Sequence, residues 1–146
     1  MDRAIKIYID SNVLIHYCTN VLDVVEALNY VFKKRKKDKL FTSSLAIAQT
    51  IATLQKNMNG RKAYSKEKTI RLVKPLMDKI TVLDLTSSDI QKAMEKDNKD
   101  VEDSIQYIIS KKMKCDAIIT RNTKDFPFID VYVIKPERRL LSISIK

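Results

Sequence analysis

The sequence predicts an α/β protein of three layers, with a central, mostly parallel sheet of about five strands covered by helices on both faces. Two observations predict it. Short, β-branched apolar runs recur along the 146 residues, and nearly every one leads into a longer stretch with helical periodicity. No internal repeat, linker or low-complexity tract divides the chain, so these units belong to one domain.

Ala4–Ile9 (AIKIYI) reads as a buried first strand that ends at Asp10. Ser11 and Asn12 are placed to cap a helix, and Val13, Leu14 and Tyr17 open its periodic pattern. Val21, Val24, Val25, Leu28, Val31 and Phe32 carry it on as an amphipathic helix. It ends in Lys33–Lys37 (KKRKK), cations that a helix C-terminus favours. Lys39–Thr42 is a short second strand, and Ser43 and Ser44 cap a helix carrying Leu45, Ile47, Ala48, Ile51 and Leu54. Asn57–Gly60 (NMNG) is the strong turn signal and holds the single glycine.

Lys66–Met77 is a further helix, whose final turn Pro75 weakens. Ile80–Leu85 is a third strand, after which Thr86–Ser88 cap a helix to about Lys96. Asp100 caps the next helix, with Val101, Ile105, Ile108 and Ile109 as its buried stripe. Asp116–Thr120 and Asp130–Ile134 are the fourth and fifth strands, joined by Arg121–Phe128 with one helical turn at most. Right-handed crossovers put every strand's C-terminal end on one edge of the sheet. Ligands of such sheets bind outside that edge, where the strand order reverses.

Composition narrows the class. Folding of a chain this long buries roughly two-thirds of its surface, enough for an unstapled core. Apolar residues at 45% and charged residues at 32% describe a globular protein and not a disordered one. Cys18 and Cys115 are far apart and in no ligand spacing, which points to reduced thiols, and the lone His16 excludes a His-rich zinc site. The apolar run before Asp10 is too short for a signal peptide, and no stretch nears the roughly 18 residues that span a bilayer. The expectation is a soluble, cytoplasmic protein without membrane contact. The net charge of +10 suits a polyanion, and equally a solvated lysine-rich surface. The Tyr and Phe residues fall at core-like spacing and read as packing, not as base-stacking platforms. The segment Arg138–Ser142 fits docking on the sheet edge or on a partner.

Three acidic positions converge if the first and fourth strands are neighbours: Asp10, Asp103 and Asp125. Carboxylates crowded together repel unless a cation separates them, and oxygen ligands of this hardness suit Mg2+ or Mn2+. Each also has an ordinary role open to it: Asp10 as a helix cap, Asp103 as a first-turn acid favoured by the dipole, Asp125 as a turn residue. Asp100 reads as an N-cap and Glu102 as a solvated acid, and both are further candidate ligands. Two other chemistries fail on named residues. A receiver needs an acidic pair after the first strand, where Ser11 follows Asp10, and an Asp ending the third strand, which Ile80–Leu85 lacks. A dehalogenase-type phosphotransfer site needs Asp-x-Asp, and the second position here is Asn12.

Tyr8–Ile15 (YIDSNVLI) and Asp100–Phe126 (DVEDSIQYIISKKMKCDAIITRNTKDF) together resemble the two signature halves of PIN domains, and the similarity spans about Ile5 to Leu141. The resemblance implies that Asp10, Asp103 and Asp125 hold divalent metal, while Ser11, Asn12, Thr120 and Asn122 orient carboxylates and ligand. Where the family commonly carries a Glu, this chain has Gln49, which offers a neutral carbonyl oxygen and no charge. The implied activity is metal-dependent endoribonucleolytic hydrolysis of RNA, with Arg121, Lys124, Lys33, Lys34 and Arg35 expected to guide its backbone. By analogy with small members of the family, the chain is expected to be a homodimeric toxin restrained by an antitoxin protein. A site short of one charge also fits a non-catalytic RNA- or protein-binding module.

Overall fold

The computed structural model describes residues 4–58, 60–128, 130–138 and 141. Of the Arg138–Ser142 segment, Arg139, Leu140 and Ser142 lie outside the described residues.

Among the described residues the elements run in the order β1 (Lys6–Ile9), α1 (Ser11–Cys18), α2 (Leu22–Lys34), β2 (Lys39–Ser43), α3 (Ser44–Leu54), α4 (Lys66–Lys79), β3 (Thr81–Leu83), α5 (Ser87–Met94), α6 (Val101–Lys112), β4 (Ala117–Ile119) and β5 (Tyr132–Ile134), with a 3-10 turn at Thr123–Asp125 between the last two strands. The sheet order is β3-β2-β1-β4-β5, and every pairing is parallel. The order reverses between β1 and β4, so the expected switch point is present.

β1 lies at the centre, and Ile7, Tyr8 and Ile9 are fully buried. Ile7 and Ile9 pack with Val13, Leu14, Val24 and Leu28 on one face of the sheet. Tyr8 points the other way, into a second cluster with Ile105, Ile109, Ile118 and Phe126. Helices on both faces explain why the strand reads as a near-continuous apolar run instead of an alternating one.

Several local expectations change. The helical pattern through Phe32 is two helices, because Asn20 adopts a left-handed φ of 63° that ends the first. Asp10, not Ser11 or Asn12, caps α1, its carboxylate accepting from the Ser11 N–H. α4 continues past Pro75 to Lys79, since a proline late in a helix removes one hydrogen bond and leaves the flanking turns intact. Val101 is not part of a buried stripe but 43% exposed. The aromatic residues are mostly packed, yet Tyr132 on the outer strand β5 is 68% exposed, which overturns the packing reading for that residue. The NMNG turn holds: Gly60 has φ +76° and Met58 bridges Arg61. Both cysteines are free and buried, and burial pushes the Cys18 thiol up to about 11. Among the described residues, no helix is long and apolar enough to cross a membrane.

Candidate active site

Asp10 follows β1 directly and is 2% exposed, an expensive place for a carboxylate unless its oxygens are satisfied. They are. Oδ1 accepts from the Ser11 N–H at 2.6 Å and from Gln106 Nε2 at 2.5 Å, and Oδ2 accepts from the Thr120 hydroxyl at 2.6 Å. Burial raises the Asp10 pKa above the ordinary carboxylate value, while the bonds from Thr120, Gln106 and Ser11 oppose that rise.

Thr120 stands just past β4, which pairs Ile9 with Ile119, so the switch point itself brings the two residues together. Its hydroxyl oxygen accepts from the Asn122 N–H at 3.1 Å and from Asn12 Nδ2 at 3.4 Å. Asn12 Oδ1 accepts from the Arg121 N–H at 3.2 Å, tying the start of α1 to the end of β4. Gln106 comes from α6, where it is 2% exposed. Its carbonyl end accepts from the Tyr8 hydroxyl at 2.9 Å, which in turn is hydrogen-bonded to Ser43 Oγ at 2.8 Å. That chain orients the amide, leaving Nε2 to face Asp10.

Asp103 is buried in the first turn of α6, three residues before Gln106 and so on the same helix face. Its N–H donates to the N-cap carboxylate of Asp100 at 3.0 Å, so Asp100 is engaged as a cap. Glu102 is solvent-facing and accepts from Gln49 Nε2 at 2.8 Å. The other end of that amide, Gln49 Oε1, is buried with no hydrogen-bond partner among the described residues. The backbone of Asp125 closes the 3-10 turn beyond β4; its side chain lies outside the described part of the structure. Among the described residues, no three His, Cys, Asp or Glu side chains form a metal-holding group. The oxygens that are described nonetheless suit a hard divalent cation: a buried carboxylate held by three donors, a second buried carboxylate on the facing helix, and an orphaned buried carbonyl oxygen.

The cations divide. Arg121 and Lys124 are exposed on the same edge as Asp10. Lys33 and Lys34 are not: α2 ends where β2 begins, and Lys39 pairs with Lys6 at the opposite edge of the sheet. Arg35 is buried, and its guanidinium is bound by Asp38 at 2.7 Å. Of the residues expected to guide an RNA backbone, Lys33, Lys34 and Arg35 therefore do not border the acidic crevice. His16 sits one turn beyond Asn12 on α1, and burial, with Arg121 nearby, lowers its pKa. Gln106 and Tyr8 join the site; both fall within the two stretches that resemble the family's signature, but sequence alone assigns neither a role there. The available signal was a buried-stripe position in α6 held by an amide instead of an apolar residue.

The family model described as PIN domain matches residues 6–124. Ribonuclease VapC1 of Aquifex aeolicus (strain VF5) is 27% identical over 141 residues, covering 90% of this chain and 91% of that protein. The structure of VapBC2 from Rickettsia felis bound to a DNA fragment from their promoter superposes with a TM-score of 0.62 at 10% identity, over 89% of this chain and 98% of that one. VapC20 of Mycobacterium tuberculosis, a sarcin-ricin loop cleaving toxin, gives a TM-score of 0.61 at 11% identity, over 86% and 98%. At such identities the two structures speak for the fold alone.

Proposed function

The chain belongs to the PIN domain family, and from that premise we propose that it is a divalent-metal-dependent endoribonuclease, the toxin of a toxin–antitoxin pair. The observation that supports this most is Asp10: a buried carboxylate clamped by Ser11, Gln106 and Thr120 at the point where the strand order reverses. Structural caps do not need three donors from three separate elements. The ribonuclease VapC1 that the chain resembles along nearly its whole length adds weight.

In this reading Asp10, Asp103 and Asp125 hold Mg2+ or Mn2+, with Gln49 Oε1 as a neutral oxygen beside them. The ion would supply charge neutralisation at the scissile phosphate and a lowered pKa for a water. The chain's own contribution is positional. Thr120, Gln106 and the Ser11 N–H aim Asp10 and offset part of the cost of burying its charge, Asn12 ties Arg121 to that edge, and Arg121 and Lys124 face the phosphates. The same reading makes the protein a cytoplasmic homodimer restrained by an antitoxin.

The test is cleavage of labelled RNA with Mn2+ and with chelator, beside Asp10→Asn and Asp103→Asn. Metal-dependent cleavage lost in both variants is the expected result. Equal cleavage in every lane overturns the proposal. The Gln49–Glu102 hydrogen bond favours a second reading, an RNA- or protein-binding module, because it engages an acid that could replace the absent charge. Calorimetry decides between them: Mn2+ binding tighter than about millimolar, abolished by Asp10→Asn, speaks against the binding-only module.

A further inference from the structure

The edge of the sheet opposite Asp10 carries a concentration of positive charge that the crevice does not use. Register sets Lys39 beside Lys6, Ile7 beside Ala117, and Ala117 beside Tyr132. The starts of β2, β1, β4 and β5 therefore line up, spaced by roughly 4.8 Å per strand. Lys39, Lys6, Lys114 and Tyr132 succeed one another along that line. α2 ends on the same edge and adds Lys33, Lys34, Lys36 and Lys37, all exposed.

The helix dipole does not account for this. A helix C-terminus carries about half a negative charge, which one lysine offsets. The acids here already serve partners. Asp38 binds Arg35 at 2.7 Å and accepts from the Ile5 N–H at 3.0 Å. Asp116 accepts from the Lys6 N–H at 2.9 Å, and Asp130 takes Lys111 at 2.9 Å and the Tyr107 hydroxyl at 2.7 Å.

Two features go beyond charge. Tyr132 is 68% exposed, a large aromatic left in solvent on the outer strand. It borders an open concavity of about 500 Å³ that Lys111, Lys114 and Val131 line together with Asp116 and Asp130, the latter paired with Lys111. Lys114 itself holds a left-handed φ of 54°, where glycine is the usual residue.

We infer that this edge is a second RNA-binding face, in which the exposed lysines hold the backbone of a single strand and Tyr132 stacks on an unpaired base. Single strands suit it because a base must leave its stack to meet the ring. An RNA seated here leaves the acidic crevice open, so a longer molecule engages both edges. The inference rests on the reading that RNA is the ligand, and it is independent of hydrolysis.

Fluorescence anisotropy in chelator tests it, with a labelled single-stranded RNA of about twelve nucleotides and the corresponding RNA duplex. The variants are Lys36→Glu/Lys37→Glu/Lys114→Glu, Tyr132→Ala and, for the other edge, Arg121→Glu/Lys124→Glu. Circular dichroism confirms that each is folded. The triple variant is expected to weaken single-strand binding at least about tenfold and to flatten the slope of log affinity against log salt by about 0.7 per lost contact. Tyr132→Ala is expected to weaken single-strand binding about tenfold and to leave the duplex unchanged. Unaltered binding in the triple variant overturns the inference, as does a Tyr132→Ala effect that is absent or equal for both forms. A parallel cleavage assay with Mn2+ keeps the two readings apart: no cleavage defeats the nuclease and leaves this face standing.

Discussion

Gln106 Nε2 lies 2.5 Å from Asp10 Oδ1, and the same amide is held at its other end by the Tyr8 hydroxyl at 2.9 Å. A residue from the sixth helix thus sets the orientation of a carboxylate at the end of the first strand.

Gln106→Leu removes that donor while keeping the side chain's bulk. The variant is expected to lose about 1.5–3 kcal/mol of stability, the usual worth of a hydrogen bond to a charged group. Partners that orient a metal ligand typically matter by about 10–100-fold, so Mn2+ affinity should fall on that scale. Chemical denaturation and calorimetry read the two effects separately. A variant with native Mn2+ affinity would show that the amide does not position the ligand.

The raised Asp10 pKa has a sign that can be tested. A carboxyl bound more tightly to its proton in the folded state contributes stability that is complete below the unfolded value of 3.8 and is lost as pH rises through the raised value. In chelator, Asp10→Asn should therefore gain on the native chain as pH increases from about 4 to about 7. Mn2+ at neutral pH should reverse the order, since it stabilises only the chain that binds it. Thermal melts across pH, with and without Mn2+, check both halves.

Asp89 moves the other way. Burial pulls its carboxyl up, but the Lys112 ammonium at 2.5 Å and the bonds to Thr86 outweigh burial and hold the pKa below 3.8. The ion pair clamps α5 to α6, and Asp89 is 2% exposed. Its contribution is present above the unfolded value and lost as pH falls through the folded one. Asp89→Asn should cost about 1–3 kcal/mol at neutral pH, with the gap closing toward strong acid. Denaturant titration at several pH values measures it.

Arg35→Ala should behave as a core defect. Its guanidinium is buried against Asp38, which also receives the Ile5 N–H. Breaking a buried pair costs about 3–5 kcal/mol. The folded fraction should bind RNA as the native chain does, whereas a direct phosphate ligand would lose affinity without losing stability.

The fold was legible from the sequence because its signals are local and repeated. AIKIYI, KLFT and ITVLDL are apolar runs of strand length, and Asp100, Ser43 and Thr86 mark helix starts that all three in fact cap. Boundaries slipped where local signals were ambiguous: Asn20 gave no strong warning of the break between α1 and α2, and Ala4 and Ile5 precede the strand they seemed to begin. In the site, Asp10 was legible as a carboxylate that a buried strand has no use for. Gln106 was not, because an amide on a helix says nothing about which distant carboxylate it will meet.

Membership of the α/β class, the strand–helix alternation and the presence of acids near strand ends were determined by the sequence alone, since patterning and capping act between residues a few positions apart. Only the tertiary structure decided that Thr120 and Gln106 share Asp10, that Arg35 turns inward, and that Lys33 and Lys34 sit at the far edge from the crevice. Those facts depend on which strands pair and in which direction each helix crosses the sheet. The Asp10 contacts link residues about a hundred positions apart, and no local pattern encodes them.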